Sequence, residues 1–131
     1  MDTGALVSLL DRSQHRHQEF ANFYEDWKGE LVTTEAVLTE ATHLMARVSG
    51  GSIVCLDFIL AGGAILVPTT TAAVRRAREL MHKYADCPMD FADATLVALA
   101  EELNCNLVFT TDRQDFSVYR IGGRKRFTVQ P

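Results

Sequence analysis

The segment Leu107-Val108-Phe109-Thr110-Thr111-Asp112 joins three apolar residues to two hydroxyl residues and an acid. A short apolar run bounded by polar residues predicts a buried strand, which we place at residues 106–110. Asp112 then follows the carboxyl end of that strand, where parallel sheets bind their ligands. The segment therefore predicts a buried sheet with an acid at its edge.

Short strands alternate with helices along the rest of the chain. The other predicted strands cover residues 30–33 and 64–67, and Gly122-Gly123 predicts a terminal hairpin of residues 118–121 and 125–129. Helices are predicted over residues 5–10, 15–27, 34–48, 53–60, 71–84 and 90–103. This alternation predicts an α/β fold with a mostly parallel central sheet covered on both faces, in one domain of residues 1–131.

Composition excludes several classes of protein. The chain has 131 residues, 47% of them hydrophobic and 23% charged, as in an ordinary globular protein. A net charge of −4 gives no global attraction to nucleic acid, so any such contact must be local. Three cysteines without CxxC spacing predict reduced thiols in a cytoplasmic protein, not a disulfide framework or a zinc site. No apolar run reaches the ~20 residues that span a bilayer.

Two acids interrupt helices that otherwise have the composition of core. Glu40 lies about 60° from the centre of the apolar stripe of its helix, Val37, Ala41, Leu44 and Val48, so it stands at the edge of the buried face. There it is either a boundary residue with its carboxylate in water or a site residue. Asp93 lies among apolar residues, where an unpaired carboxylate costs several kcal/mol, so we favour a functional role.

Other acids have a plain structural alternative. Asp2 and Asp90 each precede a predicted helix and could simply cap it, whereas Asp112 and Asp115 could each be a turn residue or the cap of a short helix. Asp2 reaches a strand end only if Met1-Asp2 is the remnant of a first strand. Together, however, Asp2, Glu40, Asp93 and Asp112 fall at expected strand ends or inward helix edges. Carboxylates gathered there would repel one another unless Mg²⁺ or Mn²⁺ neutralised them, and such an ion suits phosphodiester hydrolysis.

The motifs resemble those of PIN domains of the VapC toxin type. The matching stretches, in family order, are DTGALV at 2–7, TTEAVLTEATHL at 33–44, PMDFADA at 88–94 and TTDRQDF at 110–116. The resemblance implies an α/β/α sandwich and a Mg²⁺- or Mn²⁺-dependent endoribonuclease, the toxin of a toxin–antitoxin pair. It further implies an RNA substrate, a homodimer and a cognate antitoxin.

The resemblance also assigns residues. It implies that Asp2, Glu40, Asp93 and Asp112 are the catalytic and metal-binding acids, and that Asp90, Asp115, Thr3 and Thr111 are accessory to them. Only Met1 precedes Asp2, whereas similar proteins carry a longer first strand. Either that strand is short or the native chain starts upstream, and a frayed strand would hold Asp2 loosely.

A local group of basic residues contrasts with the negative net charge of the chain. Arg120 and Arg124 lie with Lys125 and Arg126 on the predicted hairpin, and Arg113 follows Asp112. We interpret Arg113, Arg120 and Arg124 as contacts for RNA phosphates, the alternative being a solvated sheet edge. A PIN-like interaction module with weak or no catalysis remains the alternative to a ribonuclease.

Overall fold

A computed structural model describes residues 1–131 and contains seven helices and six short strands. The helices are α1 (Thr3–Leu10), α2 (His17–Asp26), α3 (Glu35–Met45), α4 (Gly51–Leu60), α5 (Thr71–Lys83), α6 (Phe91–Glu102) and α7 (Arg113–Val118). The strands are β1 (Val32–Thr34), β2 (Ile65–Val67), β3 (Leu107–Phe109), β4 (Arg120–Ile121), β5 (Lys125–Arg126) and β6 (Thr128–Gln130). No helix is long and apolar enough to cross a membrane.

The central strands are parallel, as predicted. β1 pairs with β2 in the register Val32 to Ile65, and β3 pairs with β6 in the register Leu107 to Thr128. Connections between parallel strands must cross over. Here α3 and α4 connect β1 to β2, whereas α7 and the β4–β5 pair connect β3 to β6. The predicted α/β fold with parallel strands is therefore confirmed.

Met1 and Asp2 bridge the two parallel strand pairs. The Met1 amino group donates to the carbonyl oxygen of Val32 at 2.8 Å, and the Met1 carbonyl oxygen accepts from Thr33 Oγ1 at 2.9 Å. On the other side, the Asp2 N–H donates to the carbonyl oxygen of Phe109 at 3.0 Å. Both residues are buried, so this short segment is held from two sides despite its length.

Helices cover both faces of the sheet. Val108 packs into an apolar cluster with residues of α5, α6 and α7, whereas Phe109 packs into a second cluster with residues of α1, α2 and α4. Neighbouring strand residues point to opposite faces, which explains why adjacent apolar residues enter different cores. β3 is thus buried on both sides, and Thr110 and Asp112 follow it at the edge of the sheet.

The predicted terminal hairpin is only partly correct. β4 and β5 form an antiparallel pair around Gly122-Gly123, but β5 ends at Arg126. Residues 128–130 leave the hairpin and form β6, which pairs in parallel with β3. β6 pairs with β3, more than 20 residues away in sequence, because this pairing completes the buried sheet. Local turn signals do not reveal such a distant partner.

The buried stripe of α3 differs slightly from the predicted one. Val37 and Ala41 are buried, but Leu44 is 39% exposed and Met45 takes its place at 1%. The stripe is therefore rotated away from Glu40, because Met45 joins the cluster formed by α1, α2 and α4. Glu40 remains half-buried at the edge of the helix.

Candidate active site

Three of the predicted site acids cap helices. Asp2 Oδ1 accepts from the Ala5 N–H at 2.7 Å, Asp90 Oδ1 accepts from the Asp93 N–H at 2.8 Å, and Asp112 Oδ1 accepts from the Asp115 N–H at 2.8 Å. The structural alternative weighed for Asp2, Asp90 and Asp112 is thus also present. A cap uses one carboxylate oxygen, and it fixes the acid at the positive end of a helix, where negative charge is favourable.

Asp2 is the most rigidly held of the acids. Its carboxylate is buried, and Oδ2 accepts a hydrogen bond from Thr110 Oγ1. Burial raises the pKa of Asp2 to about 6, against the opposing effects of the Thr110 hydroxyl, the Ala5 N–H and the Met1 amino group. Asp112 raises it further by repulsion, so these two carboxylates sense each other's charge. The concern that a short first strand leaves Asp2 loose is not supported.

Asp93 lies half-buried on the first turn of α6. Burial raises the pKa of Asp93 to about 7, and repulsion from Asp90, Asp2 and Asp112 adds to the shift. One donor opposes it, because the Tyr119 hydroxyl donates to Asp93 Oδ2 at 3.2 Å. Asp93 therefore stands where the fields of three other carboxylates overlap.

Asp112 and Asp115 occupy the two sides of the first turn of α7. The Asp112 N–H donates to Thr110 Oγ1 at 2.8 Å, so Thr110 links Asp112 to Asp2. Burial first, and then repulsion from Asp112, raise the pKa of Asp115. The Cys87 thiol contacts Asp115 Oδ1 at 3.9 Å, and its own pKa is raised by burial and by Asp115.

Glu40 reaches the site from α3. Its Oε2 accepts from Thr3 Oγ1 at 2.7 Å, so Thr3 holds a carboxylate as predicted, although that carboxylate belongs to another element. Glu40 also lines an open groove of about 580 Å³ between α3 and the start of α6, together with His43, Asp90 and Phe91. This groove is large enough for a nucleotide-sized group beside the acids.

The side chains do not form a finished metal site as they stand. No three His, Cys, Asp or Glu side chains are grouped so that they could hold one ion. That the four acids hold a shared ion stays a prediction. Each acid is turned toward a hydrogen-bond donor of the protein itself, as described above.

The chemistry of the donor set nevertheless fits a hard divalent cation. The donors are carboxylates, which Mg²⁺ and Mn²⁺ prefer. Three of their oxygens, Glu40 Oε1, Asp93 Oδ1 and Asp112 Oδ2, accept no hydrogen bond within the protein. Burial and repulsion between carboxylates raise the pKa values of Asp2 and Asp93, and a nearby cation would offset both effects.

Sequence reasoning missed two hydroxyl groups. It named Thr111, but Thr111 Oγ1 packs against Gly4, where an added Cβ would lie 2.0 Å from it. Thr110 is the residue that touches Asp2 and Asp112, and its spacing of two from Asp112 could have indicated a shared side of the strand end. Tyr119 gave no such signal, because its contact with Asp93 is formed only by the tertiary fold.

The predicted RNA-binding arginines differ in their surroundings. Arg120 Nη1 donates to the carbonyl oxygens of Ser117, Val118 and Tyr119, each at 2.7 Å, so it closes the carboxyl end of α7. Arg113 donates to the carbonyl oxygen of Pro131. Arg124 is exposed in the β4–β5 turn and has no side-chain hydrogen bond. The role of all three in RNA binding stays a prediction.

Comparisons with known proteins agree with this geometry. The family model for the PIN domain matches residues 1–121. Among solved structures, the chain is similar to VapC20 of Mycobacterium tuberculosis, described as a toxin that cleaves the sarcin–ricin loop. The TM-score is 0.76 at 17% identity, over 87% of this chain and 89% of that chain. No curated protein matches the sequence significantly. The resemblance read from the motifs is confirmed, and the chain belongs to the PIN-domain family.

Proposed function

We propose that this protein is a metal-dependent endoribonuclease that hydrolyses RNA phosphodiester bonds, and that it is the toxin of a toxin–antitoxin pair. One observation carries the proposal: within a PIN fold, Asp93 lies half-buried and near Asp90, Asp2 and Asp112, so that burial first and then their repulsion raise its pKa. PIN nucleases generally use divalent metal ions. The similarity to VapC20, described as a toxin that cleaves the sarcin–ricin loop, supports the choice of RNA.

In this proposal Asp2, Glu40, Asp93 and Asp112 hold Mg²⁺ or Mn²⁺, with Asp90 and Asp115 as accessory acids. When bound, such an ion polarises a phosphoryl oxygen and lowers the pKa of a water molecule. The protein's own contribution is positional. Thr110 links Asp2 to Asp112, and Thr3 holds Glu40, so these two hydroxyls fix the positions from which the carboxylates act.

The RNA backbone needs positive charge near these acids. We assign this role to Arg113, Arg120 and Arg124, because lysine and arginine contact phosphates without reading sequence. The remaining parts of the proposal are a homodimer, a cognate antitoxin, a cytoplasmic location and one domain over residues 1–131. The homodimer and the antitoxin rest on the VapC-type resemblance, the cytoplasmic location on the three cysteines without CxxC spacing, and the single domain on the alternation of strands and helices.

The test is cleavage of RNA by Asp93→Asn. This variant keeps the shape of the side chain but removes its charge, so we expect cleavage with Mn²⁺ to fall by a factor of at least about 100. Asp57→Asn is the matched control, because Asp57 is an exposed acid on α4 and touches none of the site acids. Equal cleavage by Asp93→Asn and the control would remove Asp93 from the mechanism.

A second candidate is a PIN-like interaction module with weak or no catalysis. The observation that favours it is that no three metal-binding side chains are grouped around one point. Melting temperatures in the presence of Mn²⁺ separate the two functions, since an ion that binds only the folded state raises the melting temperature. A rise that Asp93→Asn and Asp112→Asn both abolish supports the nuclease, and no rise at millimolar Mn²⁺ supports the module.

A further inference from the structure

Tyr119 is fully buried and ends helix α7, where its hydroxyl donates to Asp93 Oδ2 at 3.2 Å. The two residues are 26 positions apart in sequence, so the contact joins α7 to α6. A tyrosine hydroxyl buried with its ring usually finds a polar partner. Here that partner is the acid on which the proposed chemistry depends most.

Neighbouring aromatic rings fix the position of this hydroxyl. The Tyr119 ring meets Phe116 edge-to-face with 5.4 Å between centroids, and it meets Tyr84 in the same manner at 5.2 Å. Tyr84 is itself anchored, because its hydroxyl accepts from the Arg120 N–H at 3.0 Å. The ring cannot swing away without breaking these contacts, so the hydroxyl is presented to Asp93 from a rigid base.

Helix α7 connects this contact to a second acid. Asp112 caps the amino end of α7, and the Tyr119 N–H at its carboxyl end donates to the carbonyl oxygen of Asp115 at 3.1 Å. With only six residues, α7 therefore carries Asp112 at one end and the partner of Asp93 at the other. A shift of this helix would move Asp112 together with the hydroxyl that holds Asp93.

We propose that Tyr119 is a positioning residue that orients Asp93 for metal binding and sets its distance from Asp112. The inference rests on the proposed nuclease function. By holding Oδ2, the hydroxyl leaves Oδ1 as the oxygen of Asp93 that is free of intramolecular hydrogen bonds. Partners that orient a metal-binding carboxylate typically affect metal affinity by about tenfold to a hundredfold when they are removed.

The experiment compares Tyr119→Phe with Tyr24→Phe. Each variant removes one hydroxyl and keeps its ring, but the Tyr119 hydroxyl donates to an acid and the Tyr24 hydroxyl donates to the carbonyl oxygen of Gly63. Mn²⁺ is titrated into each metal-free protein by calorimetry, after its melting temperature has confirmed that it is folded. We expect the Kd for Mn²⁺ to rise about tenfold or more in Tyr119→Phe and less than about twofold in Tyr24→Phe. A merely structural role would lower the melting temperature and leave this Kd unchanged.

The outcomes separate this inference from the proposed function. If the unaltered protein binds Mn²⁺, Asp93→Asn abolishes binding and Tyr119→Phe binds as tightly as the unaltered protein, the role of Tyr119 is refuted while the nuclease proposal stands. Tighter binding by Tyr119→Phe also refutes it. If the unaltered protein binds no Mn²⁺, both proposals fail. In cleavage assays, the account predicts a lower kcat for Tyr119→Phe with an unchanged KM for RNA.

Discussion

Replacing Thr110 by valine removes a single hydroxyl that serves two acids. Thr110 is fully buried, and its hydroxyl donates to Asp2 Oδ2 and accepts from the Asp112 N–H. Valine has nearly the same shape, so packing is preserved while both hydrogen bonds are lost. The change therefore isolates the link between the two acids from the surrounding core.

The magnitude follows from the two groups left behind. A buried N–H without a partner costs about 1–3 kcal/mol, and for the half-buried Asp112 we take the lower half of that range. Asp2 can relieve its own loss by taking up a proton. Because its pKa is raised to about 6 in the folded protein, protonation at pH 7 costs about 1.4 kcal/mol. We therefore expect Thr110→Val to lower the free energy of unfolding by about 2–4 kcal/mol at pH 7.

The assay is urea denaturation at pH 5 and at pH 8, with Thr110→Ser as the control that keeps the hydroxyl. The Thr110 hydroxyl stabilises the ionised form of Asp2, so the destabilisation by Thr110→Val must grow as the pH rises. Thr110→Ser loses one methyl group and should show a loss that does not depend on pH. A loss below about 0.5 kcal/mol at pH 8, or an equal loss at both values, contradicts the proposed link.

Two further predictions test the electrostatics and the packing of the site. Asp2 and Asp93 have pKa values raised to about 6 and about 7 from a usual 3.8, so the folded state binds more protons and its stability must fall from pH 4 to 6 without metal. Urea titrations between pH 4 and 6 check this fall in stability. The range stops at pH 6 because the pKa of the Met1 amino group is lowered to about 6, so that group makes stability rise with pH above this value. Gly4→Ala places a Cβ 2.0 Å from Thr111 Oγ1 and should cost about 1–3 kcal/mol. Adding Thr111→Ala should recover most of this loss, and additive losses in the double mutant would show that the two residues do not interact.

The elements of the fold were largely predictable because their signals are local. Alternating apolar runs and periodic helices predicted the parallel strands, and an acid before a helix predicted the cap at Asp90. The β6 strand was mistaken for part of a hairpin, because its partner β3 lies in another part of the chain. Phe91 lies in a nearly all-apolar helix, yet it is 41% exposed at the groove beside Glu40.

The sequence indicated which acids belong to the candidate site but not what holds them. Asp2, Asp93 and Asp112 were named from their positions, and in the structure burial first, and then repulsion from Asp90, Asp2 and Asp112, raise the pKa of Asp93. The hydroxyl partners Thr110 and Tyr119 were not named, because hydrogen bonds between distant segments leave no periodic pattern in sequence. The orientation of the carboxylates was not predictable for the same reason, because hydrogen-bond donors of the protein determine it.

The proposed function requires these acids to bind one or more divalent ions together. A crystal structure of the protein grown with Mn²⁺, with anomalous data at the manganese edge, would locate such ions. We expect an anomalous peak about 2.0–2.3 Å from carboxylate oxygens of Asp93 and Asp112 and from at least one of Asp2 and Glu40. A map with no peak there, with the carboxylates still bound to their present donors, would refute a shared ion.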